Sequence, residues 1–326
     1  MVKVVFEGIP YQVSEEETLL NGLLDQGAEV PFGCKTGSCQ SCLLKCSEGE
    51  IPPEAQKGLR ETQRILRFLL ACQCLPVAGM RLALPDSQGG GIMAKIEDLR
   101  HLNAEIVEVT INPASELIYK AGQFIRLYNP EGISRPYSLA SVIEIDKAIK
   151  LHIREYPQGS VSHWVHHKLS IGDEITISEA MGECFYLPAM PDQPLLMIGS
   201  GSGLAPLFGI LREALYLGHK GPIHFFHGAR TIQGLYCVDE LNALMREHPQ
   251  LYYQPCVSDP DTLLPPHILR GRASDIAFGM HPKLKDWRVF LCGNPAMVRA
   301  AQVQAFLADA ALHEIHADPF DHQIST

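Results

Sequence analysis

The sequence lacks a secretory leader, since its first residues carry no basic region followed by an apolar core. It also lacks a membrane span. The apolar stretch around residues 194–211 is interrupted by Gly199, Gly201, Gly203 and Pro206. A basic excess is missing too: 27 Lys and Arg against 37 Asp and Glu leave a formal charge of −10. That balance disfavours nonspecific nucleic-acid binding, which relies on basic surfaces. Broad disorder is excluded because 46% of residues are hydrophobic and 20% charged. The absences leave a cytoplasmic protein with neither membrane nor nucleic acid as partner, and 326 residues suffice for two or three domains with cores of their own.

What is present is cysteine, ten in all, which without a leader points to a reducing compartment and metal chemistry rather than disulfides. Cys34, Cys39 and Cys42 stand at C-x4-C-x2-C, with Cys72 a further 29 residues on. This is the plant-type spacing for a [2Fe–2S] cluster, in which a tight loop aims thiolates at two irons and turns backbone N–H groups toward the sulfurs. Gly33 and Gly37 give that loop its permissive backbone. A zinc site would show paired Cys-x-x-Cys or histidine partners instead. For the fourth ligand the residues themselves leave Cys46, Cys72 and Cys74 open.

Around the loop, Val2, Val4 and Phe6 alternate ahead of Glu7-Gly8, predicting a hairpin over residues 2–13. Ser14 to Glu17 reads as a capping box for a helix carrying Leu19, Leu20, Leu23 and Leu24 and ending near Gly27. Residues 54–70 read as helical, with Lys57, Arg60, Arg64 and Arg67 on a solvated face. Asp86 to Gly91 reads as a flexible linker. Short strands follow at Ala104–Ile111, Gln123–Tyr128, Lys150–Arg154 and Glu174–Ser178, the spacing of a small antiparallel barrel. Gly159 with Ser160 and Ser162, ahead of a helix at His163, makes a natural pyrophosphate seat. From Pro194 strands alternate with helices, implying a parallel sheet covered on both faces. Gly199–Gly203 and Cys292-Gly293-Asn294-Pro295 both fall at strand C-terminal ends, where such sheets bind ligands. His163, His166 and His167, and His313 with His316, lack a carboxylate or cysteine pattern to complete a metal site and read as surface or core histidines.

In this order the motifs resemble the ferredoxin–NAD(P)+ reductase superfamily, and within it the reductase components of multicomponent bacterial oxygenases, over nearly the whole chain. The resemblance implies a multidomain α/β and β fold. A β-grasp-like ferredoxin domain (1–86) and a linker (87–95) would precede an antiparallel β-barrel FAD domain (96–190) and a doubly wound parallel α/β NAD(P) domain (191–326). It implies Cys34, Cys39, Cys42 and Cys72 as cluster ligands, because the family's fourth ligand stands in an Ala-Cys-Gln run. Arg135-Pro136-Tyr137-Ser138 matches the family's Arg-x-Tyr-Ser motif: Tyr137 would pack on the flavin, Ser138 would bond its N5 and Arg135 would hold the pyrophosphate. Gly159 and Ser162 match the Gly-x-x-Ser phosphate element, and Phe320 the aromatic placed near the flavin. Gly199, Gly201, Gly203, Ala205 and Pro206 match the nicotinamide motif, and Cys292, Gly293 and Met297 its C-terminal counterpart, with Cys292 a positioning residue. Ala180 to Phe185 and Asp318-Pro319 depart from the family's usual residues there.

The implied activity is transfer of electrons from NADH through FAD and [2Fe–2S] to a terminal oxygenase or its ferredoxin, by a monomer. Flavin stands between because a hydride brings two electrons and the cluster takes one. Arg230, in Gly228-Ala229-Arg230, taken alone points to NADPH; the resemblance points to NADH, since its NADH-using members carry such runs. A deoxysugar-synthesis reductase shares the module order, and a cofactor-binding subunit without turnover is the non-enzymatic alternative.

Overall fold

The expected hairpin forms from β1 (Val2–Phe6) and β2 (Ile9–Val13), with Glu7 and Gly8 at φ 49° and 77°, the left-handed pair that a two-residue turn needs. The computed structural model describes residues 1–85, 91–261 and 263–320. Helix α1 (Leu19–Leu24) starts later than the expected box at Ser14 to Glu17, which does not form. Ser14 Oγ accepts from Glu16 N at 3.3 Å, while Thr18 is the cap and accepts from Asn21 N at 3.3 Å. A tertiary bond decides the start: Leu19 N donates to the Cys74 carbonyl at 2.8 Å. The helix stops at Gly27, whose φ of 80° lets Ala28 N reach back to Leu23 O at 3.0 Å.

After β3 (Leu43–Glu48), the single helix expected over residues 54–70 is instead broken. A 3-10 turn at Pro53–Gln56, α2 (Glu61–Ile65) and β4 (Phe68–Leu70) share the segment. Gly58 and Arg67 at φ 81° and 60° stop the helical run on either side, and Phe68, Leu69 and Leu70 are drawn into the core. The four basic residues are exposed as expected, but Arg67 also clamps the neighbouring strand, Nε donating to Cys46 O at 2.9 Å and Nη2 to Gly49 O. With β5 (Arg81–Ala83) the sheet order is β2-β1-β5-β3-β4, in which only β1–β5 is parallel, the β-grasp arrangement.

The chain divides into units Met1–Gly89 and Gly90–Thr326. Of the expected linker, residues 86–90 lie outside the described residues. Its later part is strand: Ile92–Lys95 belong to β6 (Ile92–His101) and pair with the strand that includes Glu174–Ile177. β7 (Ile106–Pro113), β8 (Phe124–Tyr128), β9 (Ser134–Ser138), β10 (Ile149–Arg154), α3 (Ser160–His167) and β11 (Glu174–Ile177) follow. The six strands are ordered β10-β7-β6-β11-β8-β9, all antiparallel, and the two edges meet where Leu139 bridges Leu151.

The remaining elements are β12 (Leu195–Ser200), α4 (Leu204–Tyr216), β13 (Ile223–Ala229), α5 (Val238–Glu247), β14 (Leu251–Val257), β15 (Leu269–Arg270), α6 (Ala273–Met280), β16 (Arg288–Gly293), α7 (Pro295–Leu307) and β17 (Ile315–Pro319). Their sheet is parallel throughout, in the order β15-β14-β13-β12-β16-β17. Leu195 and Met197 pack with α4 and α5, whereas Leu196 and Ile198 pack with α6 and α7, so the sheet is doubly wound. Order reverses beside β12, and the open end there is the ligand crevice of such sheets. No helix among the described residues is long and apolar enough to cross a membrane.

Helix α4 joins the two sheets of this unit. A Cβ at Gly209 would stand 3.0 Å from the Leu139 carbonyl oxygen, so the glycine sets the close approach. Arg212 holds Asp146 with two bonds of 2.7 and 3.2 Å. Glu213 is buried in the same seam, and burial pushes its carboxyl up to about 7. A carboxyl raised above its unfolded value contributes stability that is full below about pH 4.5 and lost as pH rises through about 7. Ionised Glu213 therefore costs on the order of 3 kcal/mol. Glu213→Gln is expected to raise the Tm by roughly 5 °C near pH 8 and to leave it unchanged near pH 4.5, as read by thermal denaturation at the two pH values.

Candidate functional site

The cysteine loop is built from left-handed residues. Lys35, Gly37 and Gln40 stand at φ 55°, 84° and 57°, and a Cβ at Gly33 would come within 3.1 Å of Cys39 Sγ. The curl turns amides onto sulfur: Thr36 N and Cys39 N each donate to Cys34 Sγ at 3.4 Å, and Cys34 N to Cys39 Sγ at 3.3 Å. Hydrogen bonds from Thr36 and then Cys39 bring the Cys34 thiol down to about 6, and bonds led by the Ser41 side chain lower Cys39. Cys42 and Cys72 form a second, buried pair; burial pushes Cys42 up to about 11, with Cys72 as its hydrogen-bonding neighbour.

Cys46 and Cys74 lie apart from both pairs. Cys46 Sγ donates to Glu48 O at 3.0 Å and Cys74 Sγ to Leu75 O at 3.3 Å, and burial followed by the nearness of Cys46 pushes Cys74 up to about 12. Two thiol pairs, one of them ringed by amide donors, fit a two-iron cluster with all-sulfur ligation.

In the second unit a cavity of about 560 Å³ opens where β9, β10, α3 and the end of β17 converge. Of the residues singled out in sequence, Arg135, Tyr137, Ser138, Gly159, Ser162, Ala205 and Phe320 line it. Two helix starts face it, α3 through Ser160 to Ser162 and α4 through Ser202 and Ala205, and no side chain caps either one. The N–H groups at the start of α3 form a ready-made anion site, whereas at α4 the Leu204 N–H is taken by the Gly201 and Ser202 carbonyls of the preceding 3-10 turn. Gly159 is required there, since a Cβ would sit 2.4 Å from Ser162 Oγ. The Ser162 hydroxyl is itself engaged, accepting from Tyr156 N at 3.2 Å and donating to Tyr156 O at 3.4 Å. It shapes the phosphate loop and leaves the backbone to meet an anion. A cavity with an aromatic wall at Tyr137 and an anion seat at the start of α3 fits a flavin dinucleotide.

Several lining residues, among them Phe124, Arg154 and Tyr156, were not named by the sequence reading of the site, and two of that kind bear on its chemistry. Asp318 lies opposite Cys292 in the β16–β17 register, and Ser138 Oγ donates to its Oδ2 at 3.2 Å. Burial pushes this carboxyl up to about 6, against the lowering effect of the Ser138 bond. Its neighbour Phe320 was the available signal, but β17 itself was not foreseen. His152 is the other: buried on β10, it holds Glu108 at 3.3 Å, and Arg100 holds the same carboxylate at 3.1 Å. Burial resists the Glu108 charge, but His152 and then Arg100 win and keep it near 2.

The remaining nicotinamide-motif residues gather beside the cavity rather than on its lining. Gly199, one residue before the end of β12, pairs with Cys292 in the register, and a Cβ at Gly203 would fall 2.2 Å from the Cys292 carbonyl oxygen. Gly293, at φ 119°, passes Ser200 O so closely that a Cβ would stand at 2.5 Å. Gly201 has φ 55°, and Pro206 is in the first turn of α4. Met297 takes its place in the first turn of α7, which Asn294 caps by accepting from Ala296 N and Met297 N. The Cys292 side chain faces Cys184, Sγ to Sγ 3.9 Å, and burial pushes its thiol well above the ordinary range. Arg230 is exposed at the end of β13.

Three family models match in succession: the 2Fe-2S iron-sulfur cluster binding domain over residues 5–77, the oxidoreductase FAD-binding domain over 93–186 and the oxidoreductase NAD-binding domain over 197–303. The chain is 32% identical over 306 residues to the reductase subunit of an aromatic O-demethylase from Amycolatopsis, covering 89% of each chain. The chain belongs to the oxygenase-reductase family. A ferredoxin–NAD(P)+ reductase component of naphthalene dioxygenase and salicylate hydroxylase systems from Ralstonia is 29% identical, with 98% of each chain covered. Among solved structures, a cytochrome P450 reductase from Amycolatopsis superposes with TM-score 0.67 at 29% identity, over 98% of this chain and 99% of that one. As a member, this reductase is an oxidoreductase with [2Fe–2S], FAD and NAD domains that transfers electrons.

The separation of the six N-terminal cysteines has a direct consequence. Cys74→Ala is expected to keep the visible absorption and EPR signal of the [2Fe–2S] cluster, and Cys72→Ala to lose both. Loss in Cys74→Ala with retention in Cys72→Ala would move the fourth ligand to Cys74.

Proposed function

We propose that this reductase oxidises NADH and delivers electrons, as a monomer, to a terminal oxygenase component or to that system's ferredoxin. Both curated relatives described above serve oxygenase or demethylase systems, which supports this partner. The observation that carries the reading is the cavity, where the Arg135–Ser138 strand faces two uncapped helix starts in a chain that also holds a thiol loop lined by amides. When bound, FAD accepts a hydride from nicotinamide and passes its electrons singly to the iron–sulfur cluster.

The chain's own residues then divide the work. Cys34 with Cys39, and Cys42 with Cys72, would each supply a pair of ligands for the cluster. The Tyr137 and Phe320 side chains would be the flavin's aromatic neighbours. The Ser138 hydroxyl would hold the flavin N5 edge, and its bond to Asp318 keeps it oriented. Arg135 and the start of α3 at Gly159 to Ser162 would hold the pyrophosphate. The start of α4, with Gly199, Gly201, Gly203, Ala205 and Pro206, would receive the nicotinamide nucleotide against Cys292, Gly293 and Met297. Neutral Cys292 sets the spacing of that pocket and does not attack. Arg230 would lie toward the adenosine ribose. Domain limits near residues 86, 96 and 190 fit this division.

Electrons that pass from nicotinamide to FAD to cluster imply separable halves. Cys39→Ala, or a chain begun at Gly91, is expected to bind FAD and to reduce ferricyanide from NADH at close to the full rate. Both lose at least about tenfold in reduction of the oxygenase partner. Ser138→Ala is expected to slow both reactions by roughly tenfold or more, because each depends on the held N5 edge. Partner reduction at full rate by the shortened chain overturns the path.

Nucleotide choice is tested by kcat/KM for NADH and NADPH. The expected result is at least about a tenfold preference for NADH, and a preference for NADPH refutes it.

A further inference from the structure

The histidines of α3 were left without a carboxylate by the sequence pattern, and the fold supplies one. His163 and His167 are four residues apart on α3, so they share a face. Glu155, just beyond the end of β10, comes up against that face. Its Oε1 is 2.5 Å from His167 Nε2 and 3.5 Å from His163 Nδ1. Ligand atoms of all three residues lie within 4.8 Å of one another, and the two imidazole rings are 4.3 Å apart centre to centre. Donors held tetrahedrally at about 2.1 Å from one zinc ion stand roughly 3.4 Å apart. The Glu155–His163 separation already meets that spacing. The Glu155–His167 pair needs to open by somewhat under about 1 Å, well within the reach of a partly exposed glutamate.

We propose that Glu155, His163 and His167 form a second metal site, separate from the cysteine loop, that takes a divalent transition ion such as Zn²⁺. Two imidazoles and a carboxylate select such an ion over Mg²⁺ or Ca²⁺, which prefer all-oxygen shells. The side chains are 25%, 48% and 49% exposed, leaving open positions for water to complete the coordination. Occupancy has a structural consequence. Between Glu155 and His163 runs the segment 156–162, including Tyr156 and Gly159 to Ser162 on the cavity wall. Its ties include the Ser162–Tyr156 bonds and Gly159 N on Tyr156 O at 2.8 Å, with His166 Nε2 on Ile153 O at 2.9 Å close by. An ion bridging Glu155 to α3 fastens both ends of the segment, so it pins the loop that meets the flavin phosphates. This second half rests on the flavin reading above; binding of the ion does not.

The test uses the holoprotein, cluster and flavin loaded, stripped of adventitious metal with EDTA and titrated with ZnCl₂ by calorimetry near pH 7.5. The expected result is one equivalent of Zn²⁺ in the wild type that disappears in the His163→Ala/His167→Ala variant and weakens about tenfold or more in Glu155→Gln. Flavin and cluster absorption report that each variant is folded. Saturating Zn²⁺ is expected to slow FAD release at least about twofold in the wild type and not in the double variant. Unchanged zinc stoichiometry and affinity in the double variant, or no zinc uptake by the wild type, overturns the site. Zinc uptake with unchanged FAD release overturns the pinning of the loop, while the assignment of the cavity to flavin is judged separately by FAD content.

Discussion

The second unit depends on a contact between two backbones that no side chain could occupy. β12 and β16 are parallel neighbours, and the loops leaving their C-terminal ends must pass each other to reach α4 and α7. Gly203 passes under the Cys292 carbonyl and Gly293 under that of Ser200, with Asn294 N donating to Ser200 Oγ at 3.2 Å to lock the crossing. Any larger residue at Gly203 would force backbone against backbone. With the crossing in place, α4 begins at the crevice, and β17 lies on the far side of β16, carrying Asp318 and Phe320 to the cavity. The positions of three site elements thus follow from one close approach.

The same crossing shapes the local electrostatics. The amides at the start of α3 favour negative charge by about 0.3–1 kcal/mol where solvent is near. Asp318, also on the cavity lining, is held by burial at about 6, so it approaches neutrality as the medium acidifies. A phosphate side that favours anions and a ring side whose one carboxyl resists ionisation are suited to an elongated molecule with a charged linker and a neutral ring.

Much of this was legible in the amino-acid order, and the failures have physical causes. Motifs made of glycine, proline and cysteine were legible because their backbone demands are local: the hairpin at Glu7-Gly8, the cysteine loop and the Gly199–Gly203 turn all lie where the residues say. Ser14 misled because a hydroxyl three residues before a glutamate is only a local offer, and the Leu19 bond to Cys74, 55 positions away, outbid it. Residues 54–70 misled for the same reason, since Phe68–Leu70 gain more from the sheet than from continuing a helix. β6, β9 and β17 were not foreseen as strands. β9 is mostly a binding motif, and β17 is a short, mixed segment given its form by β16 beside it. Asp318 and Glu155 needed the fold itself. Each is an ordinary acid in sequence: Asp318 meets Ser138 of β9, and Glu155 meets His163 and His167 on α3.

Ten cysteines in one chain also demonstrate that environment, not residue type, assigns chemistry. A thiol must lose its proton to bind iron or react. Amide donors to sulfur stabilise the thiolate at Cys34 and Cys39, both exposed in the curled loop. Burial without such donors does the opposite at Cys74, Cys237 and Cys256, each pushed up to about 12. Cys42 lies between these cases: it is buried and raised to about 11, yet adjacent to Cys72 at the inner edge of the loop. A cation coordinated by thiol sulfur removes such a proton outright, because its charge outweighs the burial term. The exposed pair is therefore eased toward the thiolate by the protein alone, whereas Cys42 would need a bound metal to complete its ionisation. Cys237 and Cys256 have neither aid, and both are buried in the core.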